Sequence, residues 1–396
     1  MTPSNSEVQD QDSLKSKLGA LLFLAGIFFL NFLARFIPAP LMPTIEKDLG
    51  ITHGQAGSLF LMIYIGYSIT LVGAGFISAR VGHRATIIMS ALALGGAVLL
   101  VSISGSLAGI RAGLIVLGGA AGIYLPSGLA TITAVISPKH WGKAMAVHEL
   151  APNLSMLLAP VLAEALLGLL SWRGILAMVG AASVLSGLAF IRFGPGRGLR
   201  GQAPGPSDIK NLLKLPSIYL MVGITSLGIA GSAAVYSMLP LYMVAERGLD
   251  RAWANTFLAL SRISSLFMSF ASGWATDRFG AIRTLTLVMS ATALATILLA
   301  VLPGSGSIVM IFLQAALSAC FFPPALAALS LFAPPHLRSV AVSLTIPPGI
   351  LIGIGLMPVG IGFMGDIGAF DFGLILTGVL ILVGPVLVRF LRLERG

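Results

Sequence analysis

Long apolar runs alternate with short polar connections along the chain, and the runs share one length. Each holds roughly 20 residues, the number an α-helix rising ~1.5 Å per residue needs to cross a hydrocarbon core of ~30 Å. Cutting at the charged and Gly/Pro-rich breaks predicts twelve spanning helices, at about 18–37, 56–78, 85–104, 110–136, 144–170, 174–192, 216–243, 254–276, 284–302, 308–333, 341–364 and 372–389. The chain therefore reads as an all-α integral membrane protein.

Composition agrees. With 57% hydrophobic and only 10% charged residues, a soluble domain of 396 residues could not wet its surface, so most of that surface must face lipid. The 47 glycines and 22 prolines lie largely inside apolar runs, where they suit close helix packing and kinks rather than disorder. The net charge of +10 would suggest nucleic acid in a soluble chain; here the basic residues sit in connections, where membrane orientation explains them. One cysteine, Cys320, permits no internal disulfide and no cysteine-based metal site, and reads as a small packing residue. The first apolar run is too long for a signal-peptide core, so it is read as a retained helix.

Seventeen of the lysines and arginines fall on the side of both chain ends, five on the other, and only Arg35 and Arg262 lie within spans. That bias predicts cytoplasmic termini and an even number of spans. The organisation expected is a tail at 1–17, a six-helix half at 18–192, a linker at 193–215, a second half at 216–389 and a tail at 390–396. The linker carries Gly-Pro-Gly and Ala-Pro-Gly-Pro among basic residues. Across it, Gly75, Arg80, Gly82 and Pro160 match Gly273, Arg278, Gly280 and Pro358 at a displacement of 198, and Pro126 and Pro138 match Pro323 and Pro335 at 197. Two parallel six-helix repeats would leave this signature.

The connection Gly75-Phe-Ile-Ser-Ala79-Arg80-Val-Gly82-His-Arg84 and its copy Gly273-Trp-Ala-Thr-Asp277-Arg278-Phe-Gly280-Ala-Ile-Arg283 resemble a motif of the major facilitator superfamily, and the resemblance covers the whole chain. It implies that fold, and a gate at the cytoplasmic mouth where the carboxylate and arginines latch neighbouring helices. Ala79 stands where the pattern has aspartate, which leaves the first copy without its acid. The stretch Ser155 to Glu164 resembles the helix 5 motif of exporters only weakly, and Asn31-Phe-Leu-Ala34-Arg35 resembles helix 1 of anion and organic-acid branches, again without the acid. The resemblance also implies a monomer in the cell membrane, with no cofactor and no enzymatic activity.

Ionisable side chains inside the bilayer cost ~2.5–3.5 kcal/mol each at the centre, so each asks for a partner, a wet cavity or a function. Arg262 could bind a substrate anion, form a structural or gating ion pair, or snorkel; its planar fork suits a carboxylate, phosphate or sulfonate. Glu164 lies at a similar depth and is expected to pair with Arg262 or Arg35, a bridge that protonation would break. Glu149, beside His148 and one turn before Asn153, is either a proton carrier or a headgroup-level acid. Asn31, Tyr124, Tyr236 and Gln314, with Tyr64 and Tyr67, are candidates to line a polar path or to bond helices together. The expectation is a secondary transporter moving a small organic anion, a carboxylate, together with protons by alternating access. Efflux of hydrophobic compounds, favoured by a methionine-rich interior, and a non-transporting sensor or assembly partner are the alternatives.

Overall fold

A computed structural model describes residues 5–201, 210, 212–332 and 338–391, with the side chains of 5–16 and 330–339 left aside. Pro335, the Ala-Pro-Gly-Pro stretch at 203–206 and Arg392 and Arg395 therefore lie outside the described residues. The described residues form helices, with no strand among them. We number the spans α1 (Lys17–Leu49), α2 (His53–Val81), α3 (His83–Ile103), α4 (Leu107–Val135), α5 (Pro138–Leu167), α6 (Trp172–Phe193), α7 (Pro216–Ala245), α8 (Arg251–Phe279), α9 (Ala281–Val301), α10 (Ser305–Leu329), α11 (Val340–Asp366) and α12 (Phe370–Arg389). Eleven are long and apolar enough to cross a membrane. The twelfth, α8, matches α2 in its 29 residues but carries Asn255, Arg262 and a series of serines. Several helices run past the predicted ends, because polar residues continue a helix beyond the hydrocarbon at no cost in backbone hydrogen bonds.

The repeat is visible in the element boundaries. His53–Val81 and His83–Ile103 recur as Arg251–Phe279 and Ala281–Val301, each 198 residues on (251 − 53 = 198). Both hairpins turn on a glycine with positive φ, Gly82 at 85° and Gly280 at 86°, a conformation that an L side chain resists. In this register Pro126 falls opposite Pro324 rather than Pro323, since α4 and α10 keep the same displacement.

At the face away from the chain ends, an ion pair clamps the two-helix unit in each half, with its polarity reversed between them. Asp48 accepts from Arg173 at 2.5 Å and from the Trp172 indole at 3.0 Å, tying α1 to α6. Asp371 accepts from Arg247 at 2.9 Å and from the Tyr242 hydroxyl at 2.5 Å, tying α12 to α7. The contact is retained while acid and base change helices.

Within each half, small residues let backbones touch. A Cβ on Gly118 of α4 would run into the Ile63 carbonyl of α2, and one on Gly66 would meet the Ile115 carbonyl from the other side. In α7 and α11 a turn of π-helix, Ala230–Ala234 and Leu351–Leu356, adds one residue per turn and frees backbone groups. Gln314 answers one of them by donating to the Gly231 carbonyl at 2.6 Å. Cys320 is buried and packs as expected, its thiol on the Met268 and Ala316 carbonyls. Gly118→Ala should destabilise the fold by about 1–3 kcal/mol through overpacking, whereas Gly96→Ala, with open space around it, should not. Thermal unfolding of the two variants in detergent checks the contrast.

Candidate substrate site

Two arginines meet the interface of the halves near mid-membrane. Arg35 lies 2% exposed on α1, just before the break at Ile37 that Pro38 imposes. Arg262 lies 5% exposed on α8, eleven residues or ~16 Å from its start at Arg251. The Arg35 guanidinium stacks over Phe32 at 3.9 Å and Tyr67 at 4.5 Å, with Tyr64 nearby, and its Nε donates to the Asn31 carbonyl at 3.2 Å. Arg262 lies 4.7 Å over the ring of Tyr236, and Phe36, next to Arg35, packs edge-on against that same ring. Tyr236 thus joins the two arginines' surroundings, and its hydroxyl crosses between the halves to the Met156 carbonyl at 2.8 Å.

Neither arginine has a carboxylate partner among the described residues. Arg35 Nη2, Arg262 Nε and Asn31 Oδ1 are buried with no hydrogen-bond partner at all. Aromatic faces offset part of the charge, by ~2 kcal/mol where desolvated, but they satisfy no N–H donor. An unmet donor on a charged group costs at least ~1–3 kcal/mol, a cost that an acceptor reaching either guanidinium would remove.

The acid expected beside these arginines is elsewhere. Glu164 pairs with Arg251 at 3.0 Å, three turns from Arg262, and accepts from Asn255 at 2.6 Å. The expected Glu164 bridge to Arg262 or Arg35 is therefore corrected: the partner is the residue at the rim of α8. Asn255 also donates to the Pro40 carbonyl at 3.1 Å, and Arg251 reaches Thr44 at 3.4 Å, so α5, α8 and α1 are knotted together on the far side of the arginines. A second knot joins α2 to α11, where Asp366 accepts from Thr52 Oγ1 at 2.7 Å and the Gly54 amide at 3.1 Å. Gly57 and Gly362 bring the same two backbones into contact beside it. Ser68 donates to the Pro347 carbonyl at 2.9 Å, about 20 Å along α2 from Asp366. These bonds between the halves run from mid-membrane to the face away from the chain ends, which is closed.

The gate motifs lie at the opposite face. Asp277 and Arg278 are exposed and free of ion pairs among the described residues, with Arg278 resting on Trp274 and Phe279. A Cβ at Gly273 would meet nothing within contact distance among the described residues. Arg80 is likewise exposed, and Arg283 makes no described ion pair. Arg84 caps α6 instead, donating to the carbonyls of Ile191 at 2.6 Å and Gly194 at 3.2 Å, where a cation also offsets the helix dipole. Gly82 and Gly280 hold the turns, while Gly75 lies within α2. Among the described residues the carboxylate of the second copy has no ion-pair partner.

Two other candidates serve their own half. The Gln314 amide is committed to Gly231 and Thr296, inside the second half. Tyr124 donates to the Leu24 carbonyl at 2.7 Å and lies 3.4 Å from His148 Nε2, in the core of the first half. Glu149 has a side chain 57% exposed rather than buried, and its carboxylate sits 3.4 Å from His148 Nδ1. The mid-membrane cluster drew on residues that sequence reasoning had marked only in part; Phe32, Phe36 and Met156 show no signal in one sequence beyond being apolar.

The far-side knot yields a prediction. With Cys320→Ser and Thr44→Cys in place, Glu164→Gln should raise maleimide labelling from the face away from the chain ends several-fold, because a neutral amide cannot hold Arg251 as a carboxylate does. An unchanged labelling rate counts against a gate at Glu164.

A model of the Major Facilitator Superfamily matches residues 24–346. A probable nitrate transporter of Staphylococcus aureus, NarT, is 22% identical over 274 residues, covering 69% of this chain and 70% of that protein. Among solved structures, a bacterial homologue of the human lysosomal transporter Spinster, in an inward-facing and occupied conformation, superposes with a TM-score of 0.81 at 15% identity, covering 95% of this chain and 96% of that one. The D-xylose–proton symporter gives a TM-score of 0.76 at 14% identity, covering 93% and 96%.

Proposed function

This chain belongs to the Major Facilitator Superfamily, which makes it a membrane transporter rather than an enzyme, and we propose that it moves a small planar oxyanion by alternating access. One observation carries the substrate class: two buried guanidinium groups, one from each half, with unpartnered N–H donors and no acid beside them. Nitrate and short carboxylates both present a planar pair of oxygens that a guanidinium fork accepts. The relative from Staphylococcus aureus, described as a probable nitrate transporter, supports the inorganic member of that class. The substrate is shared by Arg35 and Arg262, so the halves can rock about it as each face opens in turn.

We further propose that protons drive the cycle through His148 and Glu149. Because the Tyr124 hydroxyl donates to Leu24, its oxygen can only accept from His148, which places a proton on Nε2. A neutral His148 then turns the bare lone pair of Nδ1 toward the Glu149 carboxylate at 3.4 Å, an arrangement that repels unless a proton lies between them. A proton carried through this pair would lie between Nδ1 and the carboxylate. Phe28 of α1 stacks on the imidazole at 4.1 Å, so loss of that proton bears on the same helix that carries Arg35.

In proteoliposomes the wild type should exchange labelled nitrate or formate, and Arg262→Lys, which keeps the charge but loses the fork, should cut exchange at least tenfold. If neither anion is exchanged, while a lipophilic cation is moved equally by wild type and Arg262→Ala, drug efflux replaces this reading. Glu149→Gln should retain anion exchange yet lose its stimulation by an imposed pH gradient. Undiminished stimulation in that variant removes the His148–Glu149 pair from coupling.

A further inference from the structure

The start of the linker does not hang free. It folds back over the hairpin between α2 and α3: the His83 amide donates to the Leu199 carbonyl at 3.0 Å, and the Gly201 amide to the Ser78 carbonyl at 3.1 Å. Gly196 and Gly198, with φ of 84° and 80°, supply the turns this path needs. A side chain at Gly201 would strike Ser78 Oγ, so the fit is close. Between the strap and the start of α3 lies a cavity of about 310 Å³, lined by Val81, Gly82, Arg84, Ala85, Ile88 and residues 196–200.

Its chemistry is one-sided. Among the described residues, Arg84, Arg197 and Arg200 line it and no carboxylate does. Arg84 is held by the end of α6, but Arg197 and Arg200 are exposed and make no ion pair among the described residues. The first turn of α3, a helix of 21 residues, adds backbone N–H groups at Arg84 and Ala85 that have no carbonyl four residues back to bond, together with the positive end of its dipole. These are the features of an anion site.

Position selects the anion. The cavity sits where α2, α3 and α6 leave the hydrocarbon, and the apolar side chains Val81, Ile191 and Phe193 are exposed there at 47%, 46% and 74%. A ligand that fills the site has to place a phosphate among arginines and continue into lipid alongside these residues. We propose that the cavity is a binding site for the phosphodiester headgroup of an anionic phospholipid, which pins the linker strap to the hairpin of the first half. The site is separate from the Arg35 and Arg262 cluster and does not depend on which solute is carried.

The test is native mass spectrometry of the full chain, delipidated in detergent and titrated with phosphatidylglycerol or phosphatidylcholine. Wild type should bind the first phosphatidylglycerol well ahead of phosphatidylcholine, and Arg197→Gln/Arg200→Gln should weaken that binding about 30-fold, with two surface arginines removed. The lipid-free thermal midpoint of the double variant, unchanged from wild type, shows that the fold is intact. Equal binding of the two lipids, or equal binding of phosphatidylglycerol by wild type and variant, overturns the proposal. Inorganic phosphate or glycerol phosphate, added alone at millimolar concentration, should not raise the thermal midpoint; a rise lost in the double variant would make this a site for a soluble phosphate and refute the lipid assignment.

Discussion

In a bilayer there is no water to take up an unpaired backbone group, and this constraint shapes every other feature of the protein. It forces the chain into helices and makes each departure from helical bonding need a local answer. The break at Ile37 is placed where Pro38 has no N–H to lose, and the π turn at Ala230–Ala234 is met by Gln314. The same constraint makes small residues valuable, since lipid gives helices no hydrophobic reason to associate and close van der Waals contact has to hold them. Gly66 and Gly118 bring α2 and α4 together on those terms within the first half, and Gly57 and Gly362 do so between the halves.

Against that background, polar side chains divide into those that close a structural account and those that leave one open. Asp48 with Arg173 and Asp371 with Arg247 are complete pairs at a rim, and Glu164 is saturated by Arg251 and Asn255. Arg35 and Arg262 are not. They sit deepest, where charge is most costly, and they alone among the described mid-membrane cations have no acid. A structural ion pair at this place would have quieted both residues. Its omission is the observation on which the proposed anionic solute rests.

Much of the fold was legible in one sequence because the membrane enforces a simple code. Span number follows from run length, and the repeat follows from residues such as Gly82 and Gly280, whose backbone conformation admits few substitutes. Arg35 and Arg262 stood out for the same reason, as charges where charge is expensive. Pairing was harder to read. Glu164 and Arg262 share a depth, so a linear count made them partners, but depth says nothing about which face of a helix a side chain occupies. Arg251, three turns earlier, was counted as a rim residue and is the true partner. Gln314 and Tyr124 stayed open between two roles, because a polar residue that completes a helix bond and one that binds solute look alike in sequence.

The open arginine pair and the closed far-side knot together suggest why movement and solute are linked. Closing both faces around Arg35 and Arg262 without an anion would confine two unpaired charges in a dry site, and burial of each carries a penalty of several kcal/mol. On the function proposed above, an anion shared by them lowers that penalty in the closed arrangement far more than in one wetted from an open face, where water already solvates the guanidinium groups. Differential stabilisation of this kind is what a ligand needs in order to shift a conformational equilibrium. The knots at Glu164 and Asp366 are each a small set of hydrogen bonds between the halves, of the kind that can exchange for water when one face opens. Asp277 and Arg278, at the opposite face, are exposed and make no ion pair among the described residues.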